Sequence, residues 1–185
     1  MQAKAVTLCQ RPVGMPKKED FEVIDIDVPA PADGEIQIQN VCMSVDPYMR
    51  GRMIERKSYV PPFQIGEVLT GGAIGKVTKS GHPDYKEGDY VSHSWGWREA
   101  VTTSVEGVQR LGEIVAPPSA YIGTIGMPGM TAYVGLLEVG ALQDGETVFV
   151  SGAAGAVGTI VGQIAKLKGC RVIGSAGSAE KVALL

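Results

Sequence analysis

The small residues at positions 152–158 are the part of this sequence whose spacing most directly suggests a ligand-binding function. A strand-like run at 147–151 leads into Gly-Ala-Ala-Gly-Ala-Val-Gly, and a helical pattern over 156–168 follows at once. A loop without large side chains lets a pyrophosphate approach the backbone, and the free N–H groups of a helix N-terminus attract its negative charge. The strand–loop–helix–strand order therefore predicts a dinucleotide-binding loop.

Within this loop the pattern is A-x-G-x-x-G, with Ala153 in place of the first glycine. Gly155 would allow the close approach of a phosphate, and Gly158 the tight packing of helix on strand. The alternative interpretation is a glycine-rich turn that packs a helix onto a sheet and holds no ligand. The residues predicted to form the loop are Gly152, Ala153, Ala154, Gly155, Ala156, Val157 and Gly158.

The end of the next strand indicates which dinucleotide the loop would hold. NAD-specific sites place an acidic residue there to bind the ribose 2′-OH, but this sequence has neutral Ser175 and Ala176. Ser178, Lys181 and the N–H groups of the last helix offer donors to a 2′-phosphate, which favours NADPH over NADH. Alternatively, Lys181 is a solvated surface lysine, and Ser178 is a helix N-cap that can still contact phosphate. The residues predicted here are Ser175, Gly177, Ser178 and Lys181.

Two halves of the chain differ in their periodicity. Residues 1–118 contain short strand-like runs broken by Gly, Pro and Asp, which favours a barrel or sandwich. Residues 119–185 follow the order α-β-α-β-α, which predicts two parallel strands with a right-handed crossover. The predicted strands are 3–8, 21–28, 35–41, 69–79, 89–93, 99–103, 146–150 and 171–175, and the predicted helices are 131–139, 156–168 and 179–185.

Charge and cysteine content exclude several classes of protein. The net charge of −3 argues against a nucleic-acid partner, which would require a basic patch. Three scattered cysteines with no CxxC pair fit reduced thiols in the cytosol better than a disulfide framework. The sequence shows no signal peptide and no apolar run of membrane-spanning length, so we expect a cytoplasmic protein without a membrane partner.

Three segments resemble the zinc-free branch of the medium-chain dehydrogenase/reductase superfamily, which includes leukotriene/prostaglandin reductases, plant double-bond reductases and bacterial curcumin reductase. They are Ser-Val-Asp-Pro-Tyr-Met-Arg-Gly-Arg-Met at 44–53, Gly-Met-Pro-Gly-Met-Thr-Ala-Tyr at 126–133, and 150–158 continuing to Gln-Ile-Ala-Lys-Leu-Lys-Gly-Cys at 163–170. The resemblance implies an α/β fold with a GroES-like β-barrel at 1–118 and a Rossmann domain, a doubly wound parallel sheet, from 119.

The same resemblance implies an activity and further site residues. Members of this branch transfer a hydride from NADPH to the carbon–carbon double bond of α,β-unsaturated aldehydes and ketones without a metal. Tyr48 and Tyr59 match tyrosines of the active cleft and are the catalytic candidates, because a phenol can donate to the carbonyl oxygen. Met127 and Thr131 match positions beside the nicotinamide. The alternatives are a buried barrel tyrosine for Tyr48, and ordinary packing and helix initiation for Met127 and Thr131.

Metal chemistry is not expected. Zinc-dependent relatives carry Cys and His-Glu ligands where this sequence has Met43 and Gly71-Gly72, and their four-cysteine structural loop is missing. The two histidines, His82 and His93, are predicted to be surface or loop residues. The tryptophans, Trp95 and Trp97, are predicted to pack the barrel rather than to enter the site.

Length leaves alternatives open. The resembled proteins are nearly twice as long, so we expect residues 119–185 to be an incomplete nucleotide-binding domain. The complete protein would be a homodimer. Two other interpretations are a zinc-free NADPH quinone reductase and a catalytically inactive NADPH-binding fragment; the segment 46–50 favours the double-bond reductase.

Overall fold

The computed structural model describes residues 1–58 and 60–185, so the catalytic candidate Tyr59 lies outside the described residues. The described chain divides into two compact units, Met1–Ser119 and Ala120–Leu185. This division falls one residue from the predicted boundary; the role of each domain stays a prediction. None of the helices among the described residues combines the length and the hydropathy that crossing a bilayer requires.

Antiparallel strands build the first unit. A two-stranded sheet pairs β1 (Gln2–Leu8) with β2 (Phe21–Asp27). A second sheet has the strand order β6–β3–β4–β5–β7. Its strands are β3 (Glu35–Met43), β4 (Ala73–Ser80), β5 (Tyr90–His93), β6 (Ala100–Ser104) and β7 (Gln109–Arg110). The sequence predicts all of these except β7, but it starts β4 too early, because Gly71 forms only an isolated bridge with Trp95.

Strand β3 departs from simple alternation. Ile36 and Ile38 are fully buried, as expected, but Gln37 between them is buried as well. The register of β3 against β4 shifts between Gln37 and Ile38. The Gln37 amide donates to the Pro29 carbonyl at 2.8 Å and accepts from the Thr78 hydroxyl at 3.3 Å, which satisfies the buried polar group.

A hydrophobic cluster fixes a short helix, α1 (Tyr48–Arg52), that the sequence does not predict. Met49 inside this helix and Met53 at its C-terminal end are both buried. Burying each such side chain contributes about 1.5–3 kcal/mol. The cluster consists of Leu8, Met49, Met53, Phe63 and Leu69. It leaves Tyr48, the first helical residue, at the surface.

The second unit contains the predicted β-α-β segment. Strands β8 (Thr147–Val150) and β9 (Arg171–Gly174) pair in parallel, which confirms their predicted orientation. Helix α3 (Ala156–Leu167) connects them and is followed by Gly169 in a left-handed conformation with φ of +69°. A short helix, α4 (Ala179–Val182), comes after β9.

The helix predicted at 131–139 begins earlier than expected. Helix α2 (Met127–Tyr133) starts after Gly126 and carries Pro128 in its first turn, where the missing proline N–H has no intrahelical acceptor. A π-helical segment, Val134–Val139, continues it with wider hydrogen-bonded turns. The Gly-Met-Pro-Gly sequence thus starts the helix instead of preceding it.

Candidate cofactor loop and active-site cavities

The backbone between β8 and α3 forms a tight loop. Gly152 has a φ of +61°, a left-handed conformation that glycine adopts without strain. The Ala153 N–H donates to the Ser175 carbonyl at 2.9 Å, and the Gly155 N–H donates to the Gly152 carbonyl at 2.8 Å. These bonds tie the loop to the end of β9 and turn the chain into α3.

Gly158 is required by helix packing. A side chain there would lie 2.8 Å from the Ala153 Cα and closer still to the Gly152 carbonyl oxygen, and backbone atoms cannot move aside. At Gly155 the constraint is weaker, because a Cβ would meet the Gly152 oxygen at 3.1 Å. Gly158 therefore allows the tight packing of α3 against the loop, as predicted.

The N-terminus of α3 is open to an anion. Its N-cap, Gly155, has no side chain to accept from the first helical N–H groups, and the first turn of α3 has no acidic residue. The N–H groups of Ala156, Val157 and Gly158 lack intrahelical acceptors, as in any first turn. Ala154 adds only a methyl group to the loop. The residues present therefore fit a pyrophosphate.

The segment after β9 is also open. The Ser175 N–H donates to the Val150 carbonyl at 3.0 Å, and space is free around Gly177. The Ser178 Oγ caps α4 by accepting from the Lys181 N–H at 3.3 Å, so the capping alternative is confirmed while the hydroxyl proton stays free to donate. Lys181 is exposed and forms no ion pair with any described residue, and Glu180 beside it is the acidic residue of this turn.

The two residues predicted beside the nicotinamide lie one turn apart on α2. Met127 has 62% of its surface exposed. The Thr131 hydroxyl donates to the Met127 carbonyl at 2.7 Å and lies 3.2 Å from its sulfur. Its proton is therefore used inside the helix, and the Thr131 oxygen is left as an acceptor. A role for either residue at the nicotinamide stays a prediction.

Tyr48 lies between two cavities of the first unit. One, of about 380 Å³, is lined by residues of α1 and of the following loop. The other, of about 290 Å³, is lined by Tyr48 together with Gly71, Gly72 and Ser94. Tyr48 has 37% of its surface exposed, so the buried-tyrosine alternative is wrong. Its hydroxyl has no hydrogen-bond partner among the described residues and is free to meet a ligand.

Two of the positions that match zinc ligands in other dehydrogenases, Met43 and Gly71, lie against neighbouring residues of the first unit. The Met43 sulfur accepts from the Trp97 N–H at 3.1 Å. A Cβ at Gly71 would lie 2.5 Å from the Met49 methyl group, so a ligand residue there would require the buried Met49 side chain to shift. In the described part of the chain, no three His, Cys, Asp or Glu side chains cluster as metal ligands.

The prediction for His93 is wrong. His93 ends β5 with only 4% of its surface exposed, and its Nδ1 accepts from the Trp95 N–H at 3.1 Å. Its Nε2 is buried without a hydrogen-bond partner among the described residues. Burial, with the nearby Arg98 charge, lowers the His93 pKa to about 4, so the imidazole is neutral at physiological pH. His82 lies half-buried in a turn. Trp97 packs against the cluster that contains Met49, and Trp95 packs against a second cluster that contains Ile36 and Ile38.

The sequence gives no prediction for Arg52, the last residue of α1. Arg52 lines both cavities together with Tyr48. The signal that could have found it is the spacing of four residues from Tyr48, which puts both side chains on one helix face. That signal is readable only when the segment is recognised as a helix.

A family model described as the N-terminal domain of an oxidoreductase matches residues 4–111. The chain belongs to this oxidoreductase family, in the zinc-free NADP-dependent branch of the medium-chain dehydrogenases and reductases. This confirms the predicted fold class, a GroES-like domain followed by part of a Rossmann domain.

Individual relatives resemble the whole chain. NADPH-dependent curcumin reductase of Escherichia coli is 48% identical over 94% of this chain and 50% of its own length. NADP(+)-dependent 2-alkenal reductase of Nicotiana tabacum is 45% identical over 98% of this chain and 54% of its own. CurA from Vibrio vulnificus in complex with NADPH is 46% identical with a TM-score of 0.88, over 96% of this chain and 52% of that one. The chain thus spans about half the length of the curated relatives it matches.

Proposed function

We propose that the protein carrying this chain is an NADPH-dependent oxidoreductase that reduces the carbon–carbon double bond of α,β-unsaturated aldehydes and ketones without a metal. The observation that carries the proposal is the uncapped, acid-free N-terminus of α3 behind a loop of glycines and alanines. Two relatives of similar sequence are named curcumin reductase and 2-alkenal reductase, which supports the choice of reaction.

The proposed cofactor contacts lie in the second unit. The N–H groups at 156–158 bind the pyrophosphate, and Gly155 leaves room for it. The Ser178 hydroxyl and the Lys181 ammonium bind the 2′-phosphate, with Ser175 and Gly177 flanking them without a carboxylate. When bound, NADPH supplies the hydride for the reaction.

Tyr48 is the residue of this chain that acts on the acceptor. Its free hydroxyl donates a hydrogen bond to the carbonyl oxygen, which becomes more basic as the double bond accepts the hydride. A donor at that oxygen lowers the barrier because the interaction is stronger in the transition state than in the bound substrate. Tyr59 stays a second candidate for the same role.

The test follows NADPH absorbance while the protein is offered a small enal, a small enone and a small quinone. Reduction of the enal and enone, with little reaction of the quinone, is the expected result. Faster reaction of the quinone would favour the quinone-reductase alternative. Cofactor binding without hydride transfer to any acceptor would favour a non-catalytic binding protein. If neither NADPH nor NADH binds, both the reductase and the binding-protein interpretations are overturned.

A cytoplasmic location and a homodimeric state of the complete protein belong to the same proposal. Three sparse cysteines without a disulfide support a reducing compartment. Sedimentation of the purified protein over a range of concentrations would test the dimer.

A further inference from the structure

Arg52 shares the active-site cavities with Tyr48. Both residues belong to α1, one turn apart, and both line the cavity of about 380 Å³ and the cavity of about 290 Å³. Val60 is the third residue common to the two linings. Arg52 is thus a cation in the cavity wall beside Tyr48, the proposed hydrogen-bond donor.

Neutral partners hold the Arg52 side chain in place. Its Nε donates to the Pro61 carbonyl at 2.9 Å, and its Nη1 donates to the Thr70 hydroxyl at 3.1 Å. The guanidinium carbon lies 4.0 Å from the centre of the Phe63 ring, a cation–π contact. No carboxylate of the described residues lies within ion-pair distance of Arg52. The side chain is fixed on three sides, yet its charge is not neutralised.

The larger cavity is positive as a whole. Arg50 and Arg56 line it with Arg52, and its lining contains no acidic residue. Arg50 is bound to the Gly14 carbonyl at 2.6 Å, again a neutral acceptor. Asp20 is an acidic residue near enough to interact with Arg50, since that charge contributes to lowering the Asp20 pKa. The chain has a net charge of −3, so the charge of this cavity is opposite in sign to that of the whole chain.

We propose that Arg52 stabilises the negative charge that develops on the acceptor oxygen beside Tyr48; this role rests on the function proposed above. The β-carbon gains a hydride, the π electron pair of the double bond moves toward the carbonyl, and the carbonyl oxygen becomes an enolate oxygen. Bound NADPH would supply this hydride and its electron pair, and a proton from solvent later joins the α-carbon. A fixed cation whose charge is not neutralised favours this oxyanion because no reorganisation is needed when the charge appears.

Kinetics of charge variants test the role. We expect Arg52→Gln to lower kcat about 10²-fold, the usual effect of removing one preorganised oxyanion donor, with KM changed much less. Arg52→Lys should recover a large part of the loss, because it restores the charge without the guanidinium fork. Arg110→Gln, which removes an arginine outside both cavities, is the matched control and should leave kcat unchanged. Thermal unfolding of each variant identifies any loss caused by misfolding.

A second measurement does not depend on hydride transfer. The ionisation of 4-nitrophenol, whose phenolate resembles an enolate and absorbs visible light, is titrated in the presence of each protein. We expect the wild type to bind the phenolate and to favour ionisation, and Arg52→Gln to lose this effect while Arg110→Gln keeps it.

The outcomes separate the two proposals. If no enal or enone is reduced but the phenolate still binds through Arg52, the proposed reaction fails, the catalytic role of Arg52 fails with it, and only anion binding by Arg52 remains. If enones are reduced but Arg52→Gln keeps both kcat and phenolate binding, Arg52 has no such role. Equal losses in Arg52→Gln and Arg52→Lys would show that the guanidinium anchors the cavity wall, and would also overturn the proposal.

Discussion

Gly158 in α3 lies directly against Ala153 in the preceding loop, so that a methyl group at position 158 would sit 2.8 Å from the Ala153 Cα. The contact is between two pieces of backbone, and neither can rotate away. It sets how closely the N-terminus of α3 approaches the end of β8, and therefore where the first-turn N–H groups point.

Replacing Gly158 with alanine should destabilise the second unit and weaken NADPH binding. Alanine favours a helix by up to about 1 kcal/mol over glycine, but overpacking against fixed backbone costs about 1–3 kcal/mol, so the steric cost wins. Gly177→Ala is the control for stability, because space is free there. Urea unfolding followed by circular dichroism measures the change. Equal stability of the two variants would contradict the packing role of Gly158.

Gly152 is sensitive to substitution because of its backbone conformation. Its φ of +61° costs a residue with a Cβ about 1–2 kcal/mol, although a side chain there would meet no neighbour. Gly152→Ala should therefore destabilise by roughly that amount, and Gly152→Asn by less, because asparagine tolerates the left-handed region. Thermal unfolding of the two variants compares them; an alanine variant as stable as asparagine would exclude backbone strain as the cause.

Stability of the first unit should fall as the pH drops from 6.5 toward 4, because His93 has a folded-state pKa of about 4 against an ordinary value of 6.5. In this range the unfolded chain binds a proton that the folded chain does not, so acidification favours unfolding. The full shift corresponds to about 3 kcal/mol, present above the ordinary pKa and lost below it. The pKa of Asp20 is lowered from 3.8, so its contribution is lost only below this range.

Tryptophan fluorescence reports this unfolding, because both tryptophans of the chain, Trp95 and Trp97, lie in the first unit. Urea titrations across the same pH range should show a smaller pH dependence for His93→Gln than for the wild type. Identical pH dependence in the two proteins would mean that His93 is not buried in its neutral form.

His93 also shows which part of the fold the sequence could have predicted. It lies two residues after Val91 in β5, and period-two alternation places both side chains on the buried face. This alternation alone would have predicted a buried His93. The polar side chain and the nearby turn instead favoured the prediction of an exposed position. The tight loop between β8 and α3 was predictable because its glycines and its flanking strand and helix are local in the sequence.

Helix α1 could not be predicted in the same way. It has five residues, follows Asp46-Pro47 and contains Gly51, a pattern typical of a turn. Distant contacts hold it, including the bond from the Arg50 side chain to the Gly14 carbonyl at 2.6 Å. The placement of Tyr48 and Arg52 at common cavities depends on these tertiary contacts, which a single sequence does not contain.

Coenzyme preference should depend on charge at the end of β9. Lys181→Ala should weaken NADPH binding about 10-fold, as expected for losing one charge-assisted hydrogen bond, and leave NADH binding unchanged. Ala176→Asp should weaken NADPH binding further, because a carboxylate repels the 2′-phosphate. Lys168→Ala is the control, since Lys168 pairs with Asp144 at 3.2 Å. Calorimetric titration with both coenzymes measures each affinity, and equal wild-type affinities for NADPH and NADH would exclude the preference.

Loss of the Tyr48 hydroxyl should impair turnover more than substrate binding. Tyr48→Phe removes the donor to the acceptor oxygen but keeps the ring that lines both cavities, so we expect kcat to fall about 10²-fold with little change in KM. Tyr90→Phe, on β5, is the matched control because Tyr90 lines neither cavity. Steady-state rates on one enone, measured with saturating NADPH, compare the three proteins. A wild-type kcat in Tyr48→Phe would show that another group donates to the acceptor oxygen, and Tyr59 would be the next residue to replace.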